Sequence, residues 1–310
     1  MPLLTLFTAP KPFTNPHVDL IQRNALRSWQ ALGEDVSVVL VGDEAGMAQV
    51  AKEMHFLHLP QVACNALGTP LISSIFALAR SVNDSPYLVY ANADIILFPE
   101  LLEVVPKVGA EMERFLMIGQ RWDFEVTEPL KFDQGWVQPL RQRAHTQGKL
   151  HIRTGSDYFV YPRGCFQELP DFTVGRAGWD NWMIYQARLK GWAVVDATNA
   201  LDVIHQSHDY SHLPNGQAHY RLPETGENIR LAGGRRTIFE IDDSTHAIIR
   251  GKIEPVPKSS RRFWREVEIF PLLKLHCYPL TQVLFVLFHP RKAWAEFWKN
   301  RAMKKTMQEA

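Results

Sequence analysis

Three stretches of this sequence put acids or histidines where folding alone does not ask for them. In "YLVYANADIILFPELL", Tyr87 to Leu102, an apolar run breaks at Asn92-Ala93-Asp94 and then resumes. A buried, unpaired carboxylate is costly, so Asp94 needs a partner or a place at a strand's end. Asn and Asp also suit turns, which leaves a plain Asx-turn as the bland reading. In "GRAGWDNWMIYQARLKGW", Gly175 to Trp192, Asp180 stands at the start of a helix between Trp179 and Trp182. It can cap that helix. It can also take a proton from a hydroxyl while the indoles hold the apolar faces of a ring. In "VIHQSHDYSH", Val203 to His212, three histidines and an acid fall within eight residues. That is enough for part of a metal site or a phosphate grip, or it is a surface cluster without chemistry. The spacing is not H-E-x-x-H, which argues against a zincin hydrolase.

A fourth stretch, Asn215 to Arg236, is rich in Gly, Pro and polar residues and carries Arg221, Arg230, Arg235 and Arg236. It reads as a solvated loop or as a lid whose arginines reach a phosphate.

The surrounding elements decide which of these can meet. Leu3–Ala9 reads as a strand stopped by Pro10 and Pro12. Val18–Leu32 is helical, with Val18, Ile21, Ala25, Leu26 and Trp29 on one face and Gly33 at its end. Val36–Val41 is β-branched and apolar, as a strand buried on both faces must be. A helix near Ala45–Met54, a short strand at Phe56–Leu59, a helix at Leu71–Ser81 and a strand at Tyr87–Ala91 follow. This alternation implies right-handed crossovers and a largely parallel sheet. Asp94 then falls at the sheet's C-terminal edge, where open α/β sheets bind ligands. Beyond it, Leu101–Arg114 reads as a helix and Phe115–Gln120 as a strand. Arg121–Lys149 reads as loops over the site, Asp157–Pro162 as a strand and Asp180–Lys190 as a helix stopped by Gly191. "WAVVDAT" then reads as a strand. No G-x-G-x-x-G follows the first strand, which argues against a dinucleotide oxidoreductase, and no G-x-x-x-x-G-K-[ST] occurs, which excludes a P-loop nucleotidase.

The chain has 310 residues, 46% hydrophobic and 22% charged, with a net charge of +1. That sum hides an asymmetry. Pro255–Ala310 holds eleven Lys/Arg against four Asp/Glu, a net of +7, so residues 1–254 carry −6. Cys64, Cys165 and Cys277 have no C-x-x-C spacing, which points to a reducing compartment. No basic n-region begins the chain and no apolar run reaches ~20 residues, so neither a signal peptide nor a membrane span is expected. In the tail, Phe263, Trp264, Val267 and Phe270 or Pro271 form a stripe beside Arg261, Arg262 and Arg265. Trp294, Phe297 and Trp298 sit among Arg291, Lys292, Lys299 and Arg301. Basic residues with interfacial aromatics read as helices on an anionic membrane. Packing on the first domain, or a dimer interface in a homo-oligomer, competes with that reading. Nucleic acid does not suit the acidic body.

The chain resembles a group of bacterial glycosyltransferases with the GT-A fold, through "TAPKPF…IQRNALRSW", "YANADIIL", "GWDNWM" and "IHQSHDYSH" in that order. The resemblance covers most of residues 3–245 and implies a Rossmann-like, mostly parallel sheet flanked by helices over residues 1–254, followed by a basic amphipathic helical extension, 255–310. It implies a D-x-D site for a divalent metal, Mn²⁺ or Mg²⁺, on a nucleotide-diphosphate sugar. Here Asn92 replaces the first acid and Asp94 keeps the metal-contacting place. His205 and His208 both match a later metal-ligating histidine. Asp180 matches the base of inverting members, without the usual x-E-D sequence. Asp43 resembles an acid that contacts the nucleobase. Thr8, Asn92 and Arg121 join the expected donor site, and Asp157, Trp179 and Trp182 the acceptor site. The implied enzyme transfers a sugar to a hydroxyl of a surface glycan or lipid-linked saccharide, from the cytoplasm or the inner face of the plasma membrane. Two rivals are a non-catalytic nucleotide-sugar or glycan binder, with Asn92 marking decay, and a metallohydrolase built on the His cluster.

Overall fold

The computed structural model describes residues 1–208 and 222–308. They form two compact units, Met1–Val256 and Pro257–Ala310. In chain order the first unit contains β1 (Leu4–Thr8), α1 (Pro16–Gln30), β2 (Val36–Val41), α2 (Met47–Met54), β3 (Leu57–Leu59), α3 (Ile72–Ser81) and β4 (Tyr87–Ala91). Then come β5 (Ile95–Leu97), α4 (Leu101–Glu111), β6 (Phe115–Ile118), β7 (Trp122–Phe124), α5 (Val137–Gln147), β8 (Lys149–Leu150) and β9 (Tyr158–Pro162). It closes with α6 (Trp179–Leu189), β10 (Ala193–Asp196), β11 (Val203–Gln206), α7 (Pro223–Leu231), β12 (His246–Ile249) and β13 (Lys252–Pro255). The second unit is helical: α8 (Ser260–Lys274), α9 (Tyr278–Phe288) and α10 (Pro290–Gln308).

The main sheet has nine strands in the order β13-β12-β10-β6-β9-β4-β1-β2-β3. The pairs β1–β2, β1–β4, β2–β3, β6–β10 and β10–β12 are parallel; β9 runs against β4 and β6, and β13 against β12. The expected α/β class with a mostly parallel sheet is therefore the observed one. Its physical basis is the continuous apolar character of the strands: every residue of β1 and β6 is buried. From β1 the chain winds outward through β2 to β3, then returns to place β4 on the other side of β1. That reversal makes the C-terminal ends of β1 and β4 a switch point, the usual ligand crevice of an open sheet.

Local chemistry sets the boundaries. Asn15 caps α1 by accepting from the backbone of His17 and Val18, with Pro16 at the first helical position. The face expected from its period is the buried one, and Trp29 at its centre donates to Ile95 O at 2.8 Å.

Two segments differ from expectation. Arg121–Lys149 holds β7 and α5, and β7 joins β5, β11 and β8 in a second, four-stranded sheet, β5-β11-β7-β8. Its small core joins Ile96, Phe98, Phe124, Val126, Leu140 and Ile204. Within Asn215–Arg236, residues 215–221 lie outside the described residues, and Pro223–Leu231 is the helix α7, with Asn228 buried and bonded to Thr173 at both its backbone N and O.

Candidate active site

Strand register brings the informative residues together. β4 ends at Ala91, and the turn Asn92-Ala93-Asp94 leads into β5, which leaves the main sheet. Antiparallel pairing of β11 with β5 sets His205 opposite Ile95, and parallel pairing with β7 sets it opposite Asp123. Gln206 locks this turn from behind. Its backbone N donates to Asp94 O at 3.1 Å, and its buried amide bonds Ile21 O and Asn24. Helix α1 thus reaches the turn through a closed polar network, which is rigid where each member is satisfied.

In front of the turn, Asp94 Oδ2 lies 3.1 Å from His208 Nε2, 3.9 Å from His205 Nε2 and 4.0 Å from Lys11 Nζ. Lys11 Nζ is also 3.2 Å from His208 Nε2. Burial alone would raise the Asp94 pKa, but His205, His208 and Lys11 outweigh it and hold the carboxyl well below the usual range. Burial lowers the Lys11 pKa, with Asp94 opposing. The remaining carboxylate oxygen, Asp94 Oδ1, is buried without a hydrogen-bond partner among the described residues. One ligand atom each from Asp94, His205 and His208 lies within 4.8 Å of the others. An orphaned carboxylate oxygen beside two imidazoles is the donor set of a divalent transition-metal site, so these residues fit such an ion. Behind His205, Asp123 accepts from His205 Nδ1 at 3.2 Å, His151 Nδ1 at 2.6 Å and Arg121 Nε at 3.1 Å. Burial opposes ionisation of Asp123, and these partners overcome it, keeping the carboxyl below its usual range.

Antiparallel β9 enters the sheet with its N-terminal end beside the C-terminal end of β4, Tyr158 opposite Ala91. Asp157 therefore faces Asn92. Asn92 N donates to Asp157 O at 2.9 Å, Asn92 Nδ2 donates to Asp157 Oδ1 at 2.8 Å, and Arg121 pairs with Asp157 Oδ2. Beyond Asp157 stands Asp180, in the first turn of α6. The helix starts at Gly178, whose φ of 110° suits glycine, and Gly178 N donates to Asp180 Oδ1 at 3.1 Å. Burial raises the Asp180 pKa; bonds from backbone N–H groups oppose this and the nearby Asp157 charge adds to it. An acid whose pKa is raised above the ordinary carboxylate range is better suited to take a proton than a free carboxylate.

Asp94, His205, His208, Lys11, Asn92, Arg121, Asp157 and Asp180 all line one cavity of about 530 Å³. Of the residues assigned from sequence, three sit off the cavity wall. Thr8 is fully buried inside β1, and Ala9 and Pro10 take its place on the cavity wall. Asp43 is exposed and does not line the cavity, while its neighbour Glu44 does. Trp182 is buried edge-to-face against Phe172, 5.1 Å between centroids, and is core rather than a ring platform. Trp179 does reach the wall, but it is only 5% exposed and packs against Tyr90 and Phe159. Of the four arginines expected to reach a phosphate, Arg221 lies outside the described residues. Arg230 pairs with Glu227, and neither it nor Arg235 or Arg236 lines the cavity. His212 also lies outside the described residues. Arg176, held by Glu224 at 2.6 Å, is the cavity arginine that sequence reading overlooks, together with Lys11, Asp123 and His151.

No protein-family profile matches the chain. No curated protein matches it either. Solved structures do resemble it. One of TarS from S. aureus is 12% identical over 75% of this chain and 64% of that one, so the chain spans under two thirds of its length, with a TM-score of 0.43. The TarS complex with UDP-GlcNAc is 10% identical over 92% of this chain and 79% of that one, TM-score 0.49. Glucosyl-3-phosphoglycerate synthase from Mycobacterium tuberculosis, with Mn²⁺, UDP and phosphoglyceric acid, is 13% identical over 76% of this chain and 79% of that one, TM-score 0.46.

Proposed function

We propose that the first unit is a glycosyltransferase that moves a sugar from a nucleoside-diphosphate carrier to an acceptor hydroxyl, with inversion at the transferred carbon. The observation that carries this is the polarity of one cavity. One wall gathers a carboxylate with an orphaned oxygen, two histidines and a lysine; another presents a half-buried carboxylate whose pKa is raised. Such a pair of walls serves a displacement in which an anion leaves on one side and a proton leaves on the other.

In that reaction the acceptor oxygen forms a bond to the anomeric carbon as the carbon–oxygen bond to the diphosphate breaks. The electron pair goes to the diphosphate and the acceptor's proton to Asp180. Asp94, His205 and His208 would hold a divalent ion, Mn²⁺ by the imidazole content of the set, which supplies charge neutralisation for the departing diphosphate. Lys11 adds a cation at the same wall, and Arg176 is a further cavity cation on the approach to α6. Arg121 is already committed to Asp157 and Asp123, so its role is to keep Asp157 in place between the two walls. Asn92, where a second acid would otherwise stand, spends its amide on Asp157; among the described residues the metal set then rests on Asp94 as its single carboxylate. The acceptor is inferred to be a saccharide hydroxyl, on a surface glycan or a lipid-linked chain.

Thermal shift of the full chain against a panel of nucleoside diphosphates and nucleotide sugars, with and without Mn²⁺, tests the donor wall, because a ligand that binds the folded state raises Tm by mass action. A shift with one nucleotide in the presence of metal, followed by turnover of the matching nucleotide sugar, is the expected result. Binding without turnover of any nucleotide sugar would leave a non-catalytic binder. Hydrolysis of phosphoesters unrelated to nucleotide sugars would favour a metallohydrolase.

A further inference from the structure

Eleven of the sixteen large hydrophobic side chains exposed among the described residues belong to the second unit, so this is where the protein has unburied apolar surface. The surface is built by all three helices. α9 has no charged residue along its length; it turns Thr281 and Phe285 inward and leaves Leu280, Val283 and Leu287 exposed on the opposite face. Their spacing of i, i+3 and i+7 makes them one stripe. On α8, Phe263 and Phe270 share a face, and Trp264 meets Phe288 of α9 edge-to-face at 5.7 Å. On α10, Trp294, Phe297 and Trp298 form an exposed aromatic cluster with the Arg301 guanidinium over the Trp298 ring.

Charge selects what covers this surface. The segment from Pro255 carries +7. One of its few acids, Glu268, is buried within the unit, where His289 Nε2 donates to it at 3.1 Å and Arg265 pairs with it at 3.3 Å. The outward character is therefore basic and apolar at once. A second copy would set +7 against +7, a juxtaposition that like charges disfavour. No helix among the described residues is long and apolar enough to cross a membrane. We propose that the α8–α10 unit docks on an anionic lipid surface, with α9 and the α10 aromatics entering the headgroup region and the Lys and Arg side chains meeting lipid phosphates and carboxylates. The unit then keeps the chain at a membrane without spanning it. This inference stands on the second unit alone and does not depend on the reaction proposed for the first.

The test uses the full chain in co-sedimentation with vesicles rich in phosphatidylserine and with phosphatidylcholine vesicles, at low and high salt. Wild type is expected to sediment with the anionic vesicles at low salt and to bind them roughly tenfold or more weakly at high salt, as screening shortens the reach of each basic residue. The double variant Val283→Glu with Leu287→Glu changes two exposed positions and should remain folded by circular dichroism; it is expected to stay in the supernatant. Wild type in the supernatant with anionic vesicles at low salt overturns the proposal. So does equal, salt-independent binding to both lipids, or unchanged binding by the double variant. A wild-type dimer that the double variant converts to a monomer, with no lipid binding, would assign the surface to a second copy instead.

Discussion

His205 is held from behind by Asp123: its Nδ1 lies 3.2 Å from Asp123 Oδ1, while its Nε2 faces Asp94 Oδ2 at 3.9 Å. A carboxylate on one ring nitrogen fixes the tautomer that offers the other nitrogen to a metal. Replacing Asp123 with Ala is therefore expected to weaken Mn²⁺ binding on the order of 10- to 100-fold, the usual cost of losing such support. Asp123→Asn, which keeps an acceptor for Nδ1–H, should lose less. Titration calorimetry of Mn²⁺ into each variant checks the order wild type, Asn, Ala. Equal affinities would reduce Asp123 to a structural ion-pair partner.

Asp94→Asn should abolish metal-dependent binding of nucleoside diphosphate while leaving the fold intact. The amide preserves the shape of a side chain whose backbone is tied to Gln206, but it removes the one carboxylate of the set. Calorimetry of the diphosphate with and without Mn²⁺, beside a circular dichroism spectrum, reads both halves. Unchanged metal-dependent affinity would sink the metal role.

Lys11 separates two functions of the same wall. Its ammonium lies 4.0 Å from Asp94 Oδ2 and 3.2 Å from His208 Nε2, and burial works against its charge. As a cation it competes with a metal for Asp94, yet it also attracts phosphate. Lys11→Met should thus tighten binding of Mn²⁺ alone and weaken binding of the nucleoside diphosphate at saturating Mn²⁺. Two calorimetric titrations suffice. Weaker Mn²⁺ binding in the variant would contradict the competition.

How far the sequence reveals this site depends on which contacts are local. Strands β1, β2 and β4 are buried on both faces and announce themselves as apolar runs, so the sheet edge that carries Asp94 is readable. The α5 segment is not, because this helix buries only Leu140 and Ala144 and shows almost no period. Asp123 meets His205 only through the pairing of β7 with β11, 82 residues apart in sequence, and nothing near Asp123 signals it. Lys11 follows Pro10 in what reads as a surface loop, yet the turn folds it over the switch point. Asp43 and Glu44 are adjacent acids after one strand, and which of them faces the cavity is a matter of local turn geometry. Trp182 mimics a ring platform because it lies one helical turn from Trp179, but the inward face of α6 is wide enough to bury both.

Asp180 carries the last prediction, in which rate and stability should move in opposite directions. As the acceptor's base it acts only when ionised, and burial followed by the Asp157 charge raises its pKa. Turnover should therefore climb with pH through a value above the ordinary carboxylate range. Asp180→Asn should cost on the order of 10²-fold or more in turnover, flatten that limb and leave donor binding unchanged. For stability, a group whose folded pKa is raised contributes fully below its unfolded pKa, and that contribution is lost as pH rises through the folded pKa. Near neutrality the ionised carboxylate thus burdens the fold. Asn retains an oxygen for the Gly178 N–H and carries no charge, so Asp180→Asn should raise Tm at neutral pH and change it little in acid, where both side chains are neutral. Thermal melts of both proteins across pH, beside kcat and donor affinity, give the answer. A fall in donor affinity with normal turnover at saturation, or a lower Tm at neutral pH, would make Asp180 a capping residue of α6 instead of its base.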